Sequence, residues 1–250
     1  MRSVLGAAVV PEATDPALCT PHGLDLLVEL RRLEGARFSF PASIGQLRTR
    51  YWRSTVLSSE DEVASRRLAA QLGESGALWI PRDRLTDVTG PLTVLEQRGV
   101  VRPTPDGSRV GFRHQTLFDF ARARELLASN AFPAFVKEHA LHLEIRPVVR
   151  GVLLHLRADD RQQYDRLVDE LWTSALPLHL RLLLIDCILE APTPTPTDVR
   201  WLARAIDDAS VRRRALAGVS RRPGWFDALS SQLISWMSNY PQEARPLVAA

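Results

Sequence analysis

The segment that decides the fold is residues 91–127, PLTVLEQRGVVRPTPDGSRVGFRHQTLFDFARARELL. Pro91 suits the first turn of a helix, and Gly99 suits the position just after the end of that helix. Pro105, Asp106 and Gly107 are turn residues that reverse the chain between two apolar arms, residues 100–102 and 109–112. A long and largely apolar helix follows the second arm. The segment is therefore predicted to fold as a helix, a β-hairpin and a closing helix.

That order of elements is typical of a winged helix, and it places His114 at the exit of the hairpin. Thr116, followed three residues later by Asp119, fits a capping box that puts His114 just outside the closing helix. Backbone N–H groups and the helix dipole favour an anion there, so His114 is a candidate phosphate ligand. The alternative is that His114 only makes a structural hydrogen bond at the end of the hairpin. Because the closing helix is apolar over most of its surface, we expect it to be sandwiched between two bodies.

Three helices are predicted before this segment. The first covers residues 24–33 and ends at Gly35, with an apolar face formed by Leu26, Leu27, Leu30 and Leu33. The second covers residues 43–57. Ser58 followed by acidic residues is typical of a helix start, and it predicts a third helix that runs through Leu72 and stops at Gly73.

Helical patterns continue without strand signals after residue 130. They cover residues 132–146, 147–156, 160–173, 178–190, 198–209, 210–219 and 226–239. Consecutive helices joined by short turns favour HEAT-like antiparallel helical repeats, with residues 191–197 as a stiff Pro-Thr loop between two of them. The predicted fold class is therefore mainly α. The predicted domains are a small helical domain (1–57), a winged helix with a short hairpin (58–129) and a HEAT-like repeat region (130–250).

The composition is ordinary for a globular chain: 45% hydrophobic, 24% charged and a net charge of +3 over 250 residues. Lys137 is the only lysine, so nearly all of the positive charge is arginine. Cys19 and Cys187 lie far apart in apolar contexts, and we expect both to be small core residues rather than a disulfide or metal pair. No apolar run reaches membrane-spanning length and the N-terminus is not a convincing secretory signal, so we expect a cytoplasmic protein that does not bind membranes.

The first half resembles the part of STAND proteins, the signal-transduction NTPases with NACHT and NB-ARC ATPases, that follows the ATPase core. Three stretches carry the resemblance: residues 19–27 (CTPHGLDLL), 47–56 (LRTRYWRSTV) and 110–121 (VGFRHQTLFDFA). The last is similar to the end of the family's winged helix, where many members have a histidine that contacts the β-phosphate of ADP. The resemblance thus implies that Pro21 lies against the adenine and that His114 contacts the phosphate. Plant relatives have Met-His-Asp where this chain has Arg113, His114 and Gln115.

The chain has no G-x-x-x-x-G-K-[ST] motif, so it lacks the loop that cradles a triphosphate. The resemblance therefore implies the regulatory and sensor portion of a bacterial signalling or defence switch that is not catalytic by itself. ADP or ATP would bind only together with an ATPase core supplied in cis or in trans. The helical repeats would sense an unknown protein or ligand trigger.

Two alternatives are a free-standing helical-repeat scaffold for protein partners and a winged-helix DNA-binding regulator. DNA binding would use residues 91–97 as the reading helix, and that surface offers Thr93, Glu96 and Gln97 with Arg98 only at its end. So little positive charge suits DNA poorly. The densest basic patch, residues 212–214 and 221–222, is flanked by Asp207, Asp208 and Asp227, which favours a compensated, solvated helix end. His139 and His142 are the nearest approach to a metal pair, and we expect packing roles for them.

Overall fold

A computed structural model gives the structure of this chain and describes residue 18 and residues 20–41, 44–191 and 193–244. The described chain is mainly helical and contains a small three-stranded antiparallel sheet, so the predicted mainly α class is confirmed. Two compact units divide between Phe132 and Pro133. None of the helices in the described ranges is long and apolar enough to cross a membrane. Cys19 lies outside the described residues.

The first unit begins with helices α1 (Pro21–Glu34) and α2 (Ile44–Thr55). Helix α1 starts earlier than predicted, because the Thr20 hydroxyl accepts a hydrogen bond from the Gly23 amide at 3.1 Å and Pro21 occupies the first helical position. Gly35 ends the helix as predicted, with a φ of 54°. Leu33 was expected on the apolar face, but it is 51% exposed.

Helix α3 (Ser59–Ser75) has the predicted start, where Ser58 and Asp61 form a reciprocal capping box. The predicted stop at Gly73 is wrong, because α3 continues to Ser75 and ends at Gly76, which has a φ of 62°. Gly73 has a packing role instead. A Cβ atom at Gly73 would lie 2.8 Å from Nε of Arg122, so the missing side chain lets the closing helix of this unit approach α3.

The predicted hairpin lies in an antiparallel sheet with the strand order β1-β3-β2. Gly99 and Gly107 have φ values of 72° and 70°, as their predicted cap and turn positions require. Gly111 in β3 allows a close approach between strands, because a Cβ atom there would lie 2.3 Å from the Leu78 carbonyl oxygen. The elements are β1 (Ile80–Pro81), a 3-10 helix (Arg82–Val88), α4 (Thr89–Gln97), β2 (Val101–Pro103), β3 (Arg109–Phe112) and α5 (Gln115–Ala128).

One hydrophobic core joins all of these elements. It extends from Leu18 through α1 and α2 to the sheet and to Ala121 of α5. The ring centroids of Trp52 from α2 and Phe120 from α5 lie 5.1 Å apart inside it. The segments on either side of the domain boundary predicted after residue 57 therefore pack into a shared interior.

The second unit is built from helices joined by short turns. The helix predicted over residues 132–146 ends early, at His139, and a turn and a 3-10 helix (Leu143–Ile145) follow it. Pro147 lies in the first turn of the next helix, which separates the two. The helices are α6 (Phe132–His139), α7 (Arg146–Asp159), α8 (Arg161–Thr173), α9 (Leu178–Leu189), α10 (Pro196–Asp207), α11 (Arg212–Val219) and α12 (Pro223–Asn239).

The helices of the second unit pack in a regular order. Helix α7 packs on α8 and α9, α9 packs on α10 and α11, and α11 packs on α10 and α12. Helices α8 and α10 meet through Tyr164 and Trp201, whose ring centroids are 5.8 Å apart. Helices α7 and α9 therefore each contact both the next helix in the chain and the one after it.

Candidate functional site

His114 is the N-cap residue of α5, with φ −133° and ψ 142°. It thus lies at the helix start, as predicted, but the capping box predicted between Thr116 and Asp119 is wrong. Asp119 lies in the helix interior, where it is 7% exposed and accepts a hydrogen bond from Nε2 of Gln115 at 3.0 Å. The carboxyl group expected at the cap belongs to the core instead.

The residue before His114 connects the end of the hairpin to the first two helices. Arg113 forms an ion pair with Glu29 of α1, with 2.6 Å between Nη1 and Oε1. Oε2 of Glu29 accepts a hydrogen bond of 2.9 Å from the hydroxyl of Tyr51 in α2. Burial, and then the nearby Glu29 carboxylate, raise the pKa of Tyr51 well above its usual range, so this phenol remains a donor. Glu29 therefore holds α1, α2 and the start of α5 together.

His114 is neutral near pH 7. Burial lowers the pKa of its imidazole below the usual 6.5, and the positive charge of Arg113 lowers it further. Glu29 and Asp25 of α1 act in the opposite direction but do not outweigh these effects. A neutral imidazole at this helix start can donate one N–H bond to an anion, and it adds no positive charge of its own.

Pro21 is exposed at the first position of α1. Asp25, one turn further along α1, is close enough to His114 to influence its pKa. The structure therefore brings helix α1, which carries Pro21, to the helix start that carries His114. Pro21 was predicted from the resemblance alone, whereas His114 was predicted from its place at the helix start as well. The contacts of Glu29 place α1 beside the start of α5.

Three arginines that a DNA-binding winged helix would use, Arg98 at the end of the reading helix and Arg102 and Arg113 on or near the hairpin, have partners within the first unit. Nη1 of Arg98 donates to Oδ2 of Asp61 at 2.6 Å and to the Thr55 carbonyl at 3.1 Å. The guanidinium of Arg102 stacks over Trp79, with 4.9 Å from Cζ to the ring centroid. With Arg113 bound to Glu29, three of the candidate cations are already partnered.

A buried ionic cluster in the second unit was missed by the sequence interpretation. Asp198, at the start of α10, is fully buried and accepts two hydrogen bonds from Arg161 of α8, at 3.0 and 3.2 Å. The Thr195 backbone amide donates to the same carboxylate at 3.0 Å. Residues 191–197 were interpreted as a spacer, yet Thr195 and Asp198 have the spacing of a capping box, and that signal identifies the helix start.

Arg157 of α7 extends this cluster. Its Nη2 lies 3.5 Å from Oδ1 of Asp198, and it donates to the hydroxyl of Tyr164. It also donates to the Cys187 and Ile188 carbonyls, which lie at the end of α9. The cluster therefore connects four consecutive helices, α7 to α10. Asp198 and its arginines bind one another, so the cluster links these helices through paired charges rather than offering a reactive group.

Two further predictions are settled by burial and pairing. Cys187 is fully buried, as expected, and burial raises the pKa of its thiol to about 12, so it is not a reactive thiolate. Two arginines of the basic patch at residues 212–214 and 221–222 pair with acids, but not with the flanking acids that were expected. Arg214 binds Asp186 at 2.7 and 2.8 Å, and Arg212 lies 3.5 Å from Glu243.

Comparisons with known protein families, with curated proteins and with solved structures find no match to this chain. The features of this chain that bear on function are the geometry around His114, the helix order of the second unit and the residues that carry the resemblance.

Proposed function

We propose that this chain is the regulatory and sensor portion of a STAND-type nucleotide switch. In this proposal α1 and α2 are the small helical domain, residues 58–129 are a winged helix, and residues 130–250 are HEAT-like repeats. The observation that carries it is His114 at the N-cap of α5, directly after the hairpin and beside α1. The resemblance assigns a phosphate contact to this same position.

The local chemistry supports an anion at His114. The start of α5 contributes the positive end of a helix dipole, and the neutral imidazole contributes an N–H donor. The ion pair between Arg113 and Glu29 offsets a carboxylate charge that would otherwise repel a phosphate. An ATPase core, in cis or in trans, would supply the phosphate-cradling loop that the sequence lacks.

The second unit would serve as the sensor. The repeated packing of α7, α9 and α11 is the arrangement expected of stacked helical hairpins, which present extended surfaces to partners. The nature of the trigger, a protein or a small ligand, stays a prediction of the resemblance.

A free-standing protein-interaction scaffold is the second candidate, and one observation favours it. Helix α12 exposes Phe226, Ile234 and Met237 by 39%, 75% and 37%, and their spacing places them on one face. An apolar face of this kind suits a protein partner. DNA binding is the third candidate, and the internal pairing of Arg98, Arg102 and Arg113 counts against it.

Calorimetry with ADP tests the proposal. The chain alone should bind ADP weakly or not at all, and addition of an ATPase core from a STAND protein encoded beside it should create a site. His114→Ala should weaken that site by about tenfold or more, the effect of losing a hydrogen bond to a charged group. His155→Ala is the matched control, because His155 pairs with Asp159 in the second unit at 3.0 Å.

Two results would overturn the proposal. One is ADP affinity that is equal in the parent chain and the His114→Ala variant when the core is present. The other is tight, salt-sensitive binding of duplex DNA by the chain alone, which would favour the DNA-binding regulator.

A further inference from the structure

Two histidines of the second unit lie together where α6 ends and the turn to α7 begins. His139 is the last residue of α6, and its ring stacks on Phe135 with centroids 4.8 Å apart. His142 follows in the turn, and its side chain is 56% exposed. The ring centroids of His139 and His142 are 5.9 Å apart, and their planes make an angle of 77°.

The hydrogen bond of His139 determines which ring nitrogen carries the proton. Its Nδ1 atom lies 3.1 Å from the Phe135 carbonyl oxygen. A carbonyl oxygen only accepts hydrogen bonds, so Nδ1 must be the donor and must carry the proton. In the neutral imidazole, Nε2 then holds the lone pair and is available to a metal ion.

His142 has the same arrangement with a carboxylate as acceptor. Its Nδ1 atom lies 3.1 Å from Oε1 of Glu144. A histidine that donates one N–H to a carboxylate and offers its other nitrogen is the arrangement found around metal ions in proteins.

The separation of the two rings suits one shared ion. A Zn–N bond of about 2.0–2.1 Å places the metal about 3 Å from each ring centroid, so two rings on one ion stand about 5–6.5 Å apart. The observed 5.9 Å lies within that range.

We propose that His139 and His142 form a two-histidine binding site for a divalent transition-metal ion, with Nε2 of each ring as ligand. Imidazole ligands favour Cu²⁺, Ni²⁺ and Zn²⁺ over Mg²⁺ or Ca²⁺. Within the described ranges no group of three or more His, Cys, Asp or Glu side chains is placed to hold a metal ion. The proposed site therefore uses two protein ligands from the described ranges, and Glu144 acts by orienting His142. The site is independent of the nucleotide proposal.

Zinc calorimetry and nitrogen NMR on the full chain test the site. Before metal is added, both rings should show the tautomer with the proton on Nδ1. One equivalent of Zn²⁺ should then shift the Nε2 signals of both rings. His142→Ala and His139→Gln should each abolish this one-equivalent binding, and Glu144→Gln should weaken it by about 10–100-fold.

His155→Ala is again the control and should bind zinc like the parent chain, because His155 pairs with Asp159 elsewhere in α7. The proposal is overturned if either ring carries its proton on Nε2 in the metal-free chain. It is also overturned if one-equivalent zinc binding is absent from the parent chain, or if that binding survives either of the two histidine substitutions. Circular dichroism verifies that the variants are folded. If a histidine variant does not fold, Glu144→Gln still tests the site, because it changes only an exposed side chain.

Discussion

Asp61 and Asp198 occupy the same position in two capping boxes, one in each unit of the molecule. Each carboxylate bonds the N-cap residue three positions earlier, and each also binds an arginine from another element. Asp61 is 4% exposed, and its partner Arg98 has a side chain that is one-third exposed. Asp198 is completely buried between Arg161 and Arg157.

The difference between the two acids is one of surroundings and not of local sequence. In the first unit the capping acid joins a helix start to the end of α4 close to solvent. In the second unit the same motif has become the centre of an ionic cluster that also includes the rings of Tyr164 and Trp201. The same capping box is thus expected to contribute differently to the stability of the two units, and substitution of each acid can measure its contribution.

The largest expected effect is that of Asp198→Ala. Removal of this buried carboxylate takes the shared acid from Arg157, whose side chain is 15% exposed, and from Arg161, whose side chain is 33% exposed. Breaking a buried ion pair costs about 3–5 kcal/mol. Urea denaturation should show this loss in the free energy of unfolding. Asp165→Ala is the control, because Asp165 forms only a half-exposed pair with the same Arg161 and should cost about 0.3–0.5 kcal/mol. Equal losses in the two variants would show that the cluster adds nothing to stability.

Asp61→Ala should cost less, about 2 kcal/mol, since it removes a cap and a single partly exposed ion pair. Burial raises the pKa of Asp61, but hydrogen bonds from the Leu57 amide, the Arg98 guanidinium and Ser58 outweigh it and hold the pKa below the usual 3.8. The contribution of Asp61 is therefore present above the unfolded-state pKa of about 3.9 and is lost as the pH falls through the folded-state pKa. Denaturation at pH 7 and near pH 3 should show the penalty shrinking in acid. A penalty that does not depend on pH would mean that packing, and not charge, explains it.

Asp119→Asn is expected to have the smallest effect on stability of the three substitutions, and its effect has the opposite sign. Burial raises the pKa of this carboxyl group to about 6, against the hydrogen bond from Gln115 and the charge of Arg48. The folded chain binds the proton more tightly than the unfolded chain, so stability falls as the pH rises from about 4 to above 6. Asp119→Asn should therefore stabilise the first unit by about 1–2 kcal/mol at pH 8 and have little effect near pH 4. Thermal unfolding across that range tests the sign, and destabilisation at pH 8 would contradict it.

Much of the first unit could be predicted because its turns depend on residues with distinct backbone chemistry. Gly35, Gly99 and Gly107 all have positive φ, and each marks a boundary that the sequence analysis predicted. The helix end predicted at Gly73 was wrong, because a helical glycine that makes room for Arg122 looks the same in sequence as one that ends a helix. Only the neighbouring helix distinguishes the two roles.

The candidate sites were predictable to different degrees. The position of His114 at a helix start followed from local sequence, whereas its low pKa depends on burial and on Arg113. In the cluster around Asp198, Arg161 and Arg157 lie 37 and 41 positions before that residue, and no local pattern brings them to its carboxylate. For the same reason, sequence spacing alone could not show the partners of Arg212 and Arg214, Glu243 and Asp186.

The two outer strands of the sheet, β1 and β2, each contain a proline. The backbone N–H groups of Arg82 and Thr104 point toward β3 and donate to the carbonyls of Ser108 and Arg109. Because backbone N–H groups alternate in direction along a strand, the backbone nitrogens of the preceding residues point away from β3. Those residues are Pro81 and Pro103, and neither has an N–H to offer. Both edges therefore lack a donor that a strand from another chain would need, which protects the sheet from edge-to-edge aggregation. Strand addition at either edge would lack that hydrogen bond, which favours side chains and helices as the surfaces through which this unit would bind a partner.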